Sequence, residues 1–315
     1  MILILILYML LASTFTIGKA VLQYIQPIFF IAVRMILSGG LLLGYAYLFD
    51  RSHWRFRKQD LWAFLKLATF HIYCAFIFEF LALRTMLSAK ACLLYSFSPF
   101  ITALFSYLIF REQLRLRQII GLIIGFIGFI PVLASCAMSE GTSFLCISSA
   151  ELLLLLSVVS SVYGWILLKE AIDIGGYSPV MANGCSMLLG GIAALCTSLL
   201  YEGMPVLYRD VTDTQGPLES LFHGTVDGAI IVGIYTILLI LIANVVFYNL
   251  YGYLLMQYSM TLLSFAGFTC PLFAAFYGWL FLGEVISSSF IISLISVIVG
   301  LTLFYQQELL ELERE

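Results

Sequence analysis

Residues 96–112 read SFSPFITALFSYLIFRE, and residues 268–284 read FTCPLFAAFYGWLFLGE. Each places a proline inside an apolar run and a glutamate 13 residues later, where the run ends. One chain spelling a phrase twice points to an internal repeat, and a repeat has to be settled before any motif is weighed. A shift of 172 lays Pro99 on Pro271, Glu112 on Glu284 and Gly128 on Gly300. Upstream the shift is about 20 smaller: GKAVLQYIQP (18–27) lies over LKEAIDIGGYSP (168–179), and Gly39-Gly40 over Gly190-Gly191.

The composition says where such a chain lives. Of 315 residues, 62% are apolar and 10% charged, and the mean hydropathy is +1.06. A soluble domain has no use for that much apolar surface, so the sequence predicts an integral membrane protein. A helix needs ~20 apolar residues to cross the hydrocarbon, where exposed backbone is not tolerated. Ten spans fit, near 2–22, 27–49, 61–82, 86–109, 116–136, 149–170, 177–200, 228–251, 260–282 and 285–306. The opening MILILILYMLLASTF has no basic leader or small-residue cleavage site and reads as a retained first helix.

The expected fold class is therefore an all-α membrane protein of ten helices in two five-helix repeats, 1–140 and 141–315. The difference between the two shifts is an insertion of about 20 residues in the 7–8 connection, YEGMPVLYRDVTDTQGPLESLFHG, against DRSHWRFRKQD between helices 2 and 3. Five is odd, so the second repeat enters from the opposite face and the two are inverted. With the N-terminus inside, Arg51, Arg55, Arg57, Lys58, Arg111, Arg115, Arg117, Lys169 and Arg314 lie on the inner side, and Lys19, Arg84, Lys90 and Arg209 on the outer. That bias predicts cytoplasmic N- and C-termini and a multi-pass protein of the cytoplasmic membrane.

A ten-helix inverted pair with a proline in helix 4, a glutamate just past its end and the glycine-bearing GLIIGFIG (121–128) resembles the drug/metabolite transporter superfamily, EamA type. The opening ASTFTIGKAVLQYIQP with Arg34 in helix 2 carries the same likeness. The second repeat departs from it, with Ser293 and Val297 in place of Gly121 and Gly125. The resemblance implies a transporter of a small organic solute. The superfamily carries amino acids, nucleotide sugars, nucleosides and S-adenosylmethionine on one scaffold, so the fold alone selects none of them.

Ionisable groups at membrane depth are expected at functional sites. Glu79 in helix 3 is the foremost, with a cationic solute, a proton, Arg34 or Arg84 as its candidate partners. His71 near mid-membrane and Asn244 at the matching place on helix 8 are polar anchors. Asn244, Tyr248 and Tyr251 step by 4 and 3 along one helix face, and Tyr163 and Trp165 stand opposite Ser13 and Phe15 of the first repeat. Ser88, Cys92, Tyr95, Pro99, Thr102 and Ser106 form a stripe on helix 4, matched by Met260, Ser264, Gly267, Pro271, Ala274 and Gly278 on helix 9. Such stripes either pack helices closely or line a cavity. Pro99 and Pro271 are expected to bend those helices, and Glu112 and Glu284 to cap the helices that follow.

These residues outline a cavity with aromatic walls and few polar anchors, with Glu79, Arg34, His71, Tyr95, Tyr163, Trp165, Asn244 and Tyr248 as substrate-binding candidates. A flat ring plus a positive charge suits an aromatic fraction of 15% and a buried carboxylate. Within the superfamily S-adenosylmethionine or S-adenosylhomocysteine fits best. An amino-acid or drug exporter, or in another class a channel or scaffold, stays open. No GxxxxGK[ST] loop, HExxH or CxxC occurs, so neither ATP-driven transport nor an enzyme is expected, and no cofactor, metal or nucleic acid. Cys136 and Cys146 flank one short loop and could bridge in an oxidising compartment. Besides the solute and the bilayer, a proton, a counter-solute and a second copy of the chain are open as partners.

Overall fold

The computed structural model describes residues 2–22, 24–49, 57–85, 91, 94–95, 97–111, 115–140, 149–203, 228–270, 272–273, 276–277, 291–292, 295–296, 298–300, 302–303 and 306. Among these the protein is helical throughout, with no strand. Pro271, Glu112, Glu284, and the side chains of Cys136 and Cys146, lie outside the described residues.

The helices are α1 (Ile2–Val21), α2 (Pro27–Phe49), α3 (Leu61–Thr85), α4 (Ser98–Phe105, continued by Ser106–Phe110), α5 (Leu116–Glu140), α6 (Ser149–Asp173) and α7 (Pro179–Tyr201). Then come α8 (Gly228–Leu239, Ile240–Phe247 and Tyr248–Leu255 in unbroken succession) and α9 (Met260–Ala266, tightening into Gly267–Thr269). Helical backbone recurs between 291 and 306. Five stretches, α2, α3, α6, α7 and Val232–Leu255 of α8, are each long and apolar enough to cross a bilayer alone. Large apolar side chains cover the outside, among them Leu37, Leu41, Leu104, Leu156, Leu200 and Ile237. That surface is stable only in lipid, and the protein is a multi-pass membrane protein.

The tightest packing joins α2 to α7. A Cβ on Gly39 would lie 2.9 Å from the Gly184 carbonyl oxygen and 2.5 Å from the Leu188 amide, and one on Gly191 would lie 2.8 Å from the Ile36 amide. Lipid offers helices no hydrophobic drive to associate, so close backbone approach through small residues has to supply the contact. The contact is also reciprocal. A shift of 152 lays Pro27 on Pro179, Ile36 on Leu188 and Gly39 on Gly191, so each glycine meets the other helix at the counterpart residue. Gly39 thus matches Gly191, one position from the alignment expected from the paired glycines. The far end of α7 closes the pair: the Glu202 carboxylate accepts from the Ile28 and Phe29 amides at 3.0 and 2.9 Å, capping the N-terminus of α2.

Two helices widen in mid-course. Ala68–Cys74 in α3 and Ile240–Phe247 in α8 are π-helical, and their ends differ by 172 and 173 residues, close to the shift that superposes the prolines. A π turn frees backbone carbonyls that lipid cannot satisfy. Neighbouring side chains do so instead: Ser160 donates to the Phe70 carbonyl at 2.8 Å, Ser157 to that of Ala75 at 2.7 Å, and Asn249 to that of Val245 at 2.8 Å. α6 comes close enough because residue 164 is glycine; a Cβ there would strike the His71 backbone.

The expected bend at Pro99 takes another form. The chain turns at Phe97, and Pro99 stands in the first turn of α4 rather than in mid-helix. Proline suits that position because the first turn has no partner for the missing amide and its φ is already helical.

Candidate functional site

α1, α2, α3, α4, α6, α8 and α9, with Tyr95, converge on one cavity with about 780 Å³ of space free of protein atoms, the part open to solvent included. Its wall is mostly aromatic: Phe15 from α1, Phe76 and Phe80 from α3, Tyr95, Trp165 from α6, and Phe247, Tyr248 and Tyr251 from α8. Trp165 and Tyr251 stack with centroids 3.9 Å apart and an interplanar angle of 28°, and Tyr248 tilts against Trp165 at 5.0 Å. Few side-chain torsions remain free in such a cluster, so flat faces are presented without a large ordering cost.

Two opposite charges share this wall. Arg34 is 2% exposed; its Nε donates to Asn244 Oδ1 at 2.9 Å, and its guanidinium carbon lies 4.8 Å from the Phe76 ring centre and 5.8 Å from that of Phe80. The π faces and the amide oxygen offset part of the cost of burying that charge. As a carboxylate, Glu79 accepts from the Tyr95 hydroxyl at 2.9 Å. So Arg34 and Glu79 face one cavity through separate partners, and Arg84, the other candidate partner of Glu79, is exposed at the end of α3. Tyr8, Thr14, Ser98, Ser161 and Ser264 add hydroxyl-bearing side chains to the lining. Tyr8 is tied across to α9 by donating to the Leu263 carbonyl.

Of the residues singled out in the sequence, Glu79, Arg34, Tyr95, Trp165 and Tyr248 lie on the cavity wall. Asn244 stands behind it and holds Arg34 while its own amide faces the sulfurs of Met35 and Met187. His71 is wholly buried behind Trp165, centroids 4.3 Å apart, with Tyr248 at 5.1 Å, and among the described residues neither ring nitrogen has a hydrogen-bond partner. Tyr163 is not on the wall; it packs edge-on against Phe70 and Phe105. The small stripes of α4 and α9 divide. Tyr95 and Ser264 reach the cavity, whereas Thr102 and Ser264 bond each other at 2.7 Å and pack the two helices together. Tyr8, Phe76, Phe80 and Ser161 were not singled out. Phe76, Glu79 and Phe80 share one face of α3 by i, i+3, i+4 spacing, and so do Tyr8, Leu11 and Phe15 on α1 by i, i+3, i+7, so the signal was present.

Among the described residues no group of three or more His, Cys, Asp or Glu could hold a metal ion. A lipid-facing helical bundle around an aromatic cavity with a few polar groups has the make-up of a carrier of small solutes. The chain belongs to the EamA-like transporter family, whose model matches residues 1–134 and again 148–306. It is 30% identical over 301 residues to the S-adenosylmethionine/S-adenosylhomocysteine transporter of Chlamydia muridarum, covering 94% of this chain and 88% of that one. The protein of the same name from Chlamydia trachomatis serovar L2 is 29% identical over 299 residues, covering 94% and 86%. A WAT1-related chloroplastic protein of Arabidopsis thaliana is 28% identical over 274 residues, covering 86% of this chain and 60% of that protein. One crystal structure superposes with a TM-score of 0.71 at 15% identity, covering 97% of this chain and 96% of that chain, a likeness of fold alone.

Proposed function

We propose that this protein is a secondary transporter that exchanges S-adenosylmethionine and S-adenosylhomocysteine across the cytoplasmic membrane. The observation that carries the reading is the presence of one half-buried carboxylate and one buried guanidinium on the same aromatic wall. Both solutes have an adenine ring to stack, an amino-acid carboxylate for Arg34 and an ammonium group, and S-adenosylmethionine adds a sulfonium. Glu79 and the ring faces suit those cations. The names and coverage of the chlamydial relatives support the same assignment.

The architecture that suits the task is two inverted five-helix repeats, 1–140 and 141–315, ten helices in all, with both termini cytoplasmic. Its supports are the double family match, the reciprocal glycine contacts of α2 with α7, and the π turns at equivalent places in α3 and α8. Rocking of one repeat against the other would expose the cavity to each side in turn. A ligand that binds the folded state raises its apparent stability, so purified protein is to be screened by thermal shift against adenosyl metabolites and amino acids. Both adenosyl compounds should raise the melting point in a concentration-dependent way. Stabilisation by a free amino acid but by neither of them would overturn the substrate assignment.

A further inference from the structure

Behind Glu79 runs a chain of three polar contacts. The Ser157 hydroxyl donates to the Ala75 carbonyl at 2.7 Å, Ser157 Oγ and the Tyr95 hydroxyl lie 3.0 Å apart, and Tyr95 meets Glu79 Oε2 at 2.9 Å. The Ala75 carbonyl can only accept, so the Ser157 hydrogen is committed to it. The one hydrogen of the Tyr95 phenol then faces two acceptors, the Glu79 carboxylate and Ser157 Oγ, and whichever it serves the other contact is left without a hydrogen. Three contacts share two hydroxyl hydrogens. The chain is complete only when the carboxyl of Glu79 carries the third and donates to Tyr95.

We infer that Glu79, Tyr95 and Ser157 form a proton-binding site that is filled when the cavity holds no cation, and that S-adenosylmethionine binds in exchange for that proton. This rests on the exchange of adenosyl solutes proposed above. The Glu79 O–H bond breaks, the proton leaves to water, and the carboxylate that remains faces the solute's positive charge. The Tyr95 hydrogen then swings from Ser157 to Glu79. S-adenosylhomocysteine lacks the sulfonium, and its binding leaves the proton in place. The two loaded forms therefore carry the same total charge, so swapping one solute for the other moves a proton rather than net charge.

The other ionisable groups facing Glu79 do not remove the need for that proton. Among the described residues Arg34 on α2 is the one cation on the cavity wall; it acts on Glu79 through space, while its hydrogen bond and ring contacts run to Asn244 and to Phe76 and Phe80. α8 presents the phenols of Tyr248 and Tyr251 and α1 that of Tyr8, while α6 and α9 present hydroxyls and apolar groups. His71, on the same helix as Glu79, faces Trp165 and Tyr248.

Calorimetry of S-adenosylmethionine binding in buffers of different ionisation enthalpy reads the protons released. The wild type should release about one proton per bound S-adenosylmethionine at low pH, falling as pH rises and the empty site deprotonates, and close to none for S-adenosylhomocysteine. Glu79→Gln should abolish the release. Ser157→Ala frees the Tyr95 hydrogen for the carboxylate, so the release should fade at a lower pH than in the wild type. Binding of S-adenosylmethionine without release at every pH, or equal release with both solutes, would overturn the proton site. Binding of neither solute would overturn the substrate reading instead. Infrared spectroscopy then decides the proton site alone: a protonated-carboxyl band in the empty wild type, missing in Glu79→Gln, supports it, and no such band overturns it.

Discussion

On the proposed reading Arg34 and Glu79 divide the recognition of a zwitterionic solute between them, and single substitutions should divide it too. Glu79→Gln keeps the shape and deletes the charge. It should weaken S-adenosylmethionine binding by roughly 1.5–3 kcal/mol, the value of a lost charge-assisted hydrogen bond, and S-adenosylhomocysteine binding by less. Arg34→Gln should weaken both solutes alike, because both present the same carboxylate. Titration calorimetry on purified variants checks both, and equal loss for the two solutes in Glu79→Gln would remove Glu79 from sulfonium recognition. These two residues were legible in the sequence because charge at membrane depth is costly whatever the fold. Their partners were not: that Tyr95 meets Glu79 and Asn244 meets Arg34 depends on contacts across 16 and 210 residues of sequence. Tyr163 reads like Trp165 in the sequence, yet two positions along α6 turn it away to Phe70 and Phe105.

At the scale of a helix, the π turns of α3 and α8 are the irregular points beside the cavity: that of α8 carries Ala243 and Phe247 of the wall, and that of α3 ends two positions before Phe76. π turns are rare and recur at functional sites, and here side-chain hydrogen bonds from neighbours hold them. Ser160→Ala strips the Phe70 carbonyl of its donor and should cost roughly 0.6–1.7 kcal/mol of stability, within the range of interhelical hydrogen bonds in membranes. A thermal melt measures it, and an unchanged melting point would mean the carbonyl finds another partner. Pro99→Ala allows the helix to continue through Phe97, so transport turnover should change while expression holds. Uptake kinetics identical to wild type would reduce Pro99 to packing. The positions of the five long helices, α2, α3, α6, α7 and α8, were legible from hydropathy because the bilayer sets their length. The π turns were not, since ATFHIYC and ILIANVVF carry no proline or glycine to mark them. The carboxylate that caps α2 escaped notice likewise: Glu202 sits 175 residues after Pro27 and becomes its neighbour only when α7 packs against α2.

For the whole molecule, the reciprocal contact of α2 with α7 is one seam between the two segments that match the family, 1–134 and 148–306. Gly39→Val and Gly191→Val each push a side chain into the other helix's backbone and should reduce folded protein to a similar degree, read by size-exclusion yield. Loss in one variant with a normal yield in the other would contradict a symmetric seam. The proposed topology places the 7–8 connection outside, so Thr214→Cys on a cysteine-free background should react with an impermeant maleimide in intact cells. Reaction only after permeabilisation would invert the orientation. The central claim, exchange of adenosyl solutes through the cavity, is tested most directly by counterflow. Labelled S-adenosylmethionine is added outside proteoliposomes preloaded with S-adenosylhomocysteine. The account predicts saturable uptake with a transient overshoot that is lost in empty-loaded vesicles; uptake by folded protein no greater than that of protein-free vesicles would contradict it.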